Sequence, residues 1–231
     1  MRPSSFSTFR TSALFLLTIF TVAVLAGCGG GGSAGSPGGT DDAASGGASS
    51  GSGGERVTVG GTEALVWGSG NRGVVLSHGA AYDAASWSTQ AEKIAETGPT
   101  VLAVEDTSAE SIQAAADYLK NERGVQSVSL VGASAGSAGV LDVGRQSPGE
   151  VAQIILLSGT GDVSGLGDFP KLFTASEGEG LADQVRQMAE EAPGDAEALI
   201  VGGDAHAQAI FDSEGGDRLL KAITDRINQY G

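Results

Sequence analysis

In the run Ser129-Leu130-Val131-Gly132-Ala133-Ser134-Ala135-Gly136, one serine stands with a glycine two residues to either side. Val125 to Val131 reads as a strand, and the Gly, Ser and Ala residues that follow read as a helix of small side chains. A serine at a tight strand-to-helix turn carries its hydroxyl at the tip of a sheet. It needs small neighbours, because the backbone there is strained and the helix must pass close to the strands. The G-x-S-x-G spacing alone says little in a chain with 38 glycines, and the strand before it gives the motif its weight. A hydroxyl is a weak nucleophile until a base takes its proton. The chain has two histidines. His206 closes the loop Gly202-Gly203-Asp204-Ala205 after the apolar run Leu199-Ile200-Val201, and is the candidate base for Ser134. His78 follows the apolar run Gly73 to Ser77 and is the rival base.

These residues need elements that hold them at one edge of a sheet. Short strands are expected at Val57 to Val59 and Thr62 to Trp67, joined by Gly60-Gly61. Further strands are expected at Gly73 to Ser77, Thr100 to Val104, Val125 to Val131, Ile154 to Leu157, Lys171 to Thr174 and Ala198 to Val201. Between them lie helical stripes: Trp87, Ala91, Ile94 and Ala95; then Ile112, Ala115, Ala116 and Leu119. Later ones cover Leu181 to Glu191 and a terminal face of Leu219, Leu220, Ile223, Ile227 and Tyr230. Apolar strands alternating with amphipathic helices imply an α/β fold, with a mainly parallel central sheet covered on both faces. Active sites in such folds lie beyond the C-terminal strand ends.

With HGAAYDAASW after one strand, GASAGSAG after another and a late glycine-rich turn before His206, residues 57 to 231 resemble the α/β-hydrolase fold. The likeness is to small, cap-poor esterases of the dienelactone-hydrolase kind. The resemblance implies the chain order Ser, acid, His, which favours His206. It assigns the loop after Ser77 to an oxyanion hole, made by the backbone N–H of Ala80 or Ala81 with that of Ala135. It gives His78 a structural or pocket-lining part. Ala81 and Tyr82 are read as lining the substrate pocket as well; Trp87 fits either the pocket or the helix-to-sheet core. It places an acid in PKLFTASEGEG, where the proline-strand-glycine pattern points to Glu179. Glu177, Asp162 and Asp168 remain alternatives. The family most often uses Asp, so a glutamate is a departure whose longer arm requires the loop to retract. Gly159 to Asp168, where related enzymes insert a cap, is only ten residues long, so minimal or no cap is expected.

Composition narrows the classes further. The 28 acidic residues against 13 Lys and Arg give 231 residues a formal charge of −15, a balance that repels nucleic acid and anionic headgroups. One cysteine and two histidines leave little for a disulfide framework or a metal site. Glu105-Asp106 lacks a third ligand and is read as bordering the cleft or ending a strand. The first folded βα turn has no G-x-G-x-x-G and no Walker lysine follows a glycine loop, so no cofactor is expected.

Arg2 and Arg10 precede fourteen nearly all-apolar residues, Ala13 to Ala26, too few for a spanning helix of roughly 20. The stretch reads as a signal peptide over residues 1–27. Leu25-Ala26-Gly27-Cys28 resembles the lipobox of bacterial lipoproteins, which implies a lipid on Cys28 and a place at the extracytoplasmic face of the cell membrane. Cleavage would remove two arginines and no acid, leaving 204 residues with a charge of −17. After the cysteine, residues 28–54 carry one proline and otherwise no apolar side chain larger than alanine, and read as a tether. The folded domain is residues 55–231.

The expected activity is serine-dependent hydrolysis of a carboxylic ester, small or polymeric, through an acyl-enzyme. The alternative from a different class is a surface-tethered binding protein that keeps the fold and has lost turnover.

Overall fold

The computed structural model describes residues 53–231. The expected signal peptide, Cys28 and nearly all of the expected tether lie outside the described residues. Among the described residues, no helix is long and apolar enough to cross a membrane.

Among the described residues, eight strands form one sheet: β1 (Glu55–Val59), β2 (Thr62–Trp67), β3 (Arg72–Ser77), β4 (Thr100–Val104), β5 (Ser127–Ala133), β6 (Gln153–Leu157), β7 (Lys171–Ser176) and β8 (Ala196–Val201). Their spatial order is β1-β2-β4-β3-β5-β6-β7-β8. β2 runs against both of its neighbours, and every pairing from β4 to β8 is parallel. Gly60 and Gly61 make the first hairpin at φ 59° and 87°, the left-handed backbone that a two-residue turn between twisted strands demands.

Among the described residues, five α-helices cover the sheet: α1 (Ser88–Ala95), α2 (Ala109–Glu122), α3 (Gly136–Gln146), α4 (Ala182–Glu191) and α5 (Gly216–Tyr230). Side chains on a strand alternate between faces, so consecutive residues of β3 serve different cores. Val75, Leu102, Leu130, Ile154 and Phe173 pack with Ile112 and Leu119 of α2, Val140 of α3 and Val185 of α4. Val74, Leu76, Val101, Val131, Ile155 and Leu172 pack with Trp87, Ile94 of α1 and Leu219, Ile223 and Ile227 of α5. Helices α2, α3 and α4 therefore share one face, and α1 and α5 the other.

Chain connections leave β3 and β5 in opposite directions: β3 leads to β4 on one side, and β5 leads to β6 on the other. That divergence opens a crevice at the C-terminal ends of the two central strands, where α/β folds place their ligands. The connection from β6 to β7, residues 158–170, contains no helix. Val163 and Leu166 tuck back into the core, so no cap forms over the crevice.

Candidate active site

Ser134 follows β5 and precedes α3, with φ at +46°, a backbone that L residues rarely adopt. The two flanking glycines serve different contacts. A Cβ on Gly132 would lie 2.8 Å from Ser137 Cα, inside the start of α3. One on Gly136 would meet His78 O and Ser77 Oγ at 2.6 Å, against β3. Small residues on both sides thus let the turn close against its own helix and against the neighbouring strand. The Ser134 N–H donates to Leu157 O at 2.9 Å and ties the turn to the end of β6.

His206 lies in the loop after β8, immediately before a short 3-10 turn, Ala207–Asp212. Its Nε2 is 2.8 Å from Ser134 Oγ, and its Nδ1 is 2.6 Å from Glu179 Oε2. A carboxylate only accepts, so Nδ1 carries the proton and the Nε2 lone pair faces the serine hydroxyl. The imidazole is half exposed, at 52%, whereas the Glu179 side chain is 3% exposed, so the carboxylate is shielded while the ring reaches solvent.

Glu179 sits in the loop after β7. Its other oxygen, Oε1, accepts the Ser176 N–H and the Ser158 hydroxyl. This answers the length of the glutamate arm. β7 continues to Ser176, the Glu177 and Gly178 N–H groups bond to Val201 O and Gly203 O across the β8 edge, and the chain then folds back. Of the other carboxylates considered, Glu177 is exposed on that edge. Asp162 is exposed, and the Ser164 hydroxyl, together with the Ser164 N–H that it accepts, lowers its pKa. Asp168 is exposed too. None of the three hydrogen-bonds to His206.

The loop after β3 closes with the Tyr82 N–H donating to Gly79 O at 3.0 Å. Ala80, Ala81 and Ala135 are exposed. None of their N–H groups donates to a backbone carbonyl among the described residues. The His78 ring nitrogens face Gly79 O at 2.8 Å and Glu105 O at 3.0 Å; a neutral ring donates to one of these carbonyls, and neither nitrogen bonds Ser134. Tyr82 is 39% exposed beside Gly79, and Trp87 is buried, packed edge-on against Phe211 with centroids 5.9 Å apart. Glu105 accepts the Ala84 N–H. Asp106 accepts from Ser108 and Ser111 at the start of α2, and the Ser108 N–H in particular lowers its pKa. Both acids therefore finish β4 and hold adjacent backbone. Among the described residues, no cluster of His, Cys, Asp and Glu could hold a metal ion.

Two side chains that sequence reasoning missed enter here. Ser158 directly follows β6 and contacts Glu179; Gln208, two residues past His206, accepts the Gly79 N–H at 2.9 Å. A serine before a glycine at a C-terminal strand end was the only local signal for the first, and nothing local marked the second.

No protein-family model matches the chain, and no curated protein matches it. Solved structures do. A protein described as a predicted CIB-like hydrolase from Thermoplasma acidophilum superposes with a TM-score of 0.61 at 20% identity, over 76% of this chain and 97% of that one. A thermophilic esterase from Thermogutta terrifontis gives 0.60 at 15% identity, over 76% and 99%. Dienelactone hydrolase from Anabaena variabilis gives 0.57 at 20% identity, over 77% and 94%. Residues 53–231 thus have the α/β-hydrolase fold, in a form with minimal cap.

Proposed function

We propose that the protein hydrolyses carboxylic esters through an acyl-enzyme on Ser134. The observation that carries this reading is the unbroken hydrogen-bonded chain from Ser134 Oγ through His206 to Glu179, at a strained turn on the central crevice. Ser134 Oγ attacks the ester carbonyl carbon while His206 Nε2 takes its proton. The anionic oxygen that forms is met by the N–H groups of Ala135 and of Ala80 or Ala81, fixed donors that act where charge develops. When the carbon–oxygen bond to the alcohol breaks, Nε2 returns the proton to the leaving oxygen. Water then repeats the sequence and frees the acid. Glu179 holds the ring in the tautomer that can accept and steadies the imidazolium.

The descriptions of the similar structures as a hydrolase, an esterase and dienelactone hydrolase accord with this chemistry. An uncapped crevice suits small esters and polymeric ones alike, so carboxylesterase is the level of the proposal. A glutamate in place of the usual aspartate would favour the binding-protein alternative if it fell short of the histidine. With Glu179 reaching the ring, no observation favours it.

Anchoring through a lipid on Cys28, at the extracytoplasmic face of the membrane, belongs to the same proposal and rests on the leader sequence. Cys28→Ala is expected to abolish fatty-acid labelling and to release the protein from the membrane fraction. Hydrolysis itself is tested by mixing enzyme with a chromogenic aryl ester. A burst of alcohol equal to the enzyme present, followed by slower turnover, is the outcome expected of an acyl-enzyme. No release above the rate of Ser134→Ala would remove the reading.

A further inference from the structure

Three residues other than glycine have positive φ among the described residues: Ser134 at 46°, Ser158 at 49° and Ala207 at 53°. Such backbones persist only where their surroundings over-determine them, and they concentrate at functional sites. Ser158 and Ala207 lie 49 positions apart and bond to each other.

Ser158 is 4% exposed and Ala207 is 1% exposed. The Ala207 N–H donates to Ser158 Oγ at 2.8 Å, and the Ser158 hydroxyl lies 2.8 Å from Glu179 Oε1. The direction of both bonds is forced. An N–H only donates, so Oγ accepts from Ala207, and its own proton goes to the carboxylate, which only accepts. One hydroxyl therefore joins the acid to the residue that follows the base. The Ser176 N–H is the second donor to the same carboxylate oxygen, which leaves Oε2 to His206.

We propose that Ser158 is a positioning residue, whose hydroxyl clamps Glu179 to the Ala207 backbone and so fixes the Glu179–His206 pair. The inference rests on the serine-hydrolase reading and extends it to a residue that touches neither substrate nor Ser134. A physical need supports it. Glutamate has one more rotatable bond than aspartate, and two donors on Oε1 remove the freedom that this bond adds. The strained backbone at Ser158 and Ala207 lies at the two ends of the bond that makes the clamp.

A purely structural hydroxyl would only satisfy a buried N–H, so two substitutions in the full chain separate the roles. Ser158→Ala removes the hydroxyl and keeps a side chain at positive φ. Ser158→Gly removes the hydroxyl while relaxing the backbone. The clamp predicts that kcat on an aryl ester falls about 10- to 100-fold in both, with KM within about twofold, because misplacement of the base is felt in the transition state. The glycine variant is expected to melt above the alanine variant without recovering rate. A readout independent of turnover is the low-field proton resonance of His206 Nδ1–H bonded to Glu179, which is expected to move upfield or be lost to exchange in both.

If the wild type turns over and either Ser158→Gly alone or both variants keep wild-type kcat, the positioning role is overturned. An unchanged proton resonance overturns it as well. If the wild type itself releases no alcohol, the hydrolase reading fails, and the resonance still decides the clamp: altered supports it and unchanged refutes it.

Discussion

The Gln208 carboxamide oxygen accepts the Gly79 N–H at 2.9 Å, and its Nε2 donates to Ser86 Oγ at 2.8 Å. A buried side chain two residues beyond His206 thus holds the loop that carries Ala80, from 129 positions away in sequence. The loops that carry His206 and Ala80 are registered against each other by one amide.

Replacing that amide tests the link. Gln208→Leu keeps the bulk and strands a buried N–H, so stability is expected to fall by about 1–3 kcal/mol in urea denaturation. On the proposed mechanism kcat also falls more than KM rises. Unchanged stability would mean that Gly79 finds another acceptor.

At the acid, Glu179→Gln is the sharper substitution. Its oxygen would have to stay with the Ser158 and Ser176 donors, so its NH2 would face His206 Nδ1. That selects the tautomer with Nε2 protonated, which cannot take the Ser134 proton. The expected loss in kcat is about 10³- to 10⁴-fold, with the melting temperature nearly kept. A rate within about tenfold of wild type would remove Glu179 from the mechanism.

Glycines in this chain differ in what they do, and two alanine substitutions expose it. Gly136→Ala forces a Cβ to 2.6 Å from His78 O and Ser77 Oγ, and is expected to cost about 1–3 kcal/mol and to displace the Ser134 turn. Gly149→Ala meets nothing within 4 Å and is expected to stay within about 0.5 kcal/mol of wild type. Equal effects from the two would contradict the close approach of α3 to β3.

Lys171, at the start of β7, is buried, and its Nζ donates to the carbonyls of Gly167, Phe169 and Pro193, each at 2.6 Å. Burial lowers its pKa from the ordinary 10.5, against the opposing pull of Asp168 and Asp195. As pH rises, the folded chain releases this proton before the unfolded chain does. The cost of burying the charge is therefore complete below the folded pKa and shrinks as pH climbs toward 10.5. Wild type is expected to gain stability relative to Lys171→Met across that alkaline window, measured by denaturation at stepped pH. The opposite slope would contradict the assignment.

Legibility in the sequence followed locality. Each of the eight strands has an apolar run, and the sequence boundaries differ from the structure by a few residues where ladder pairing decides. β5 begins at Ser127 and continues through Gly132-Ala133 to the serine itself, since those small residues still pair with β6. β7 runs on to Ser176, which the apolar pattern left to the loop, and that extension helps turn Glu179 inward. Ser134 and His206 were readable because each stands at the end of a strand with small residues around it. The local pattern favours Glu179 and leaves Glu177 open, since the choice depends on where the β7–β8 pairing stops and on the hydroxyl of Ser158 just after β6. Ser158 and Gln208 bond to partners far away in the chain, and neither has a pattern of its own. The buried Lys171 was equally hidden, because its three carbonyl partners come from two separate loops.

The central claim is that His206 and Glu179 activate Ser134, and covalent labelling tests it most directly. Purified protein is treated with a fluorophosphonate and read by intact mass, beside Ser134→Ala and His206→Ala variants that remain folded. One adduct on the wild type and none on either variant is the predicted result. No adduct on the wild type, under conditions that label a known serine esterase, or an adduct that survives in Ser134→Ala, would contradict it.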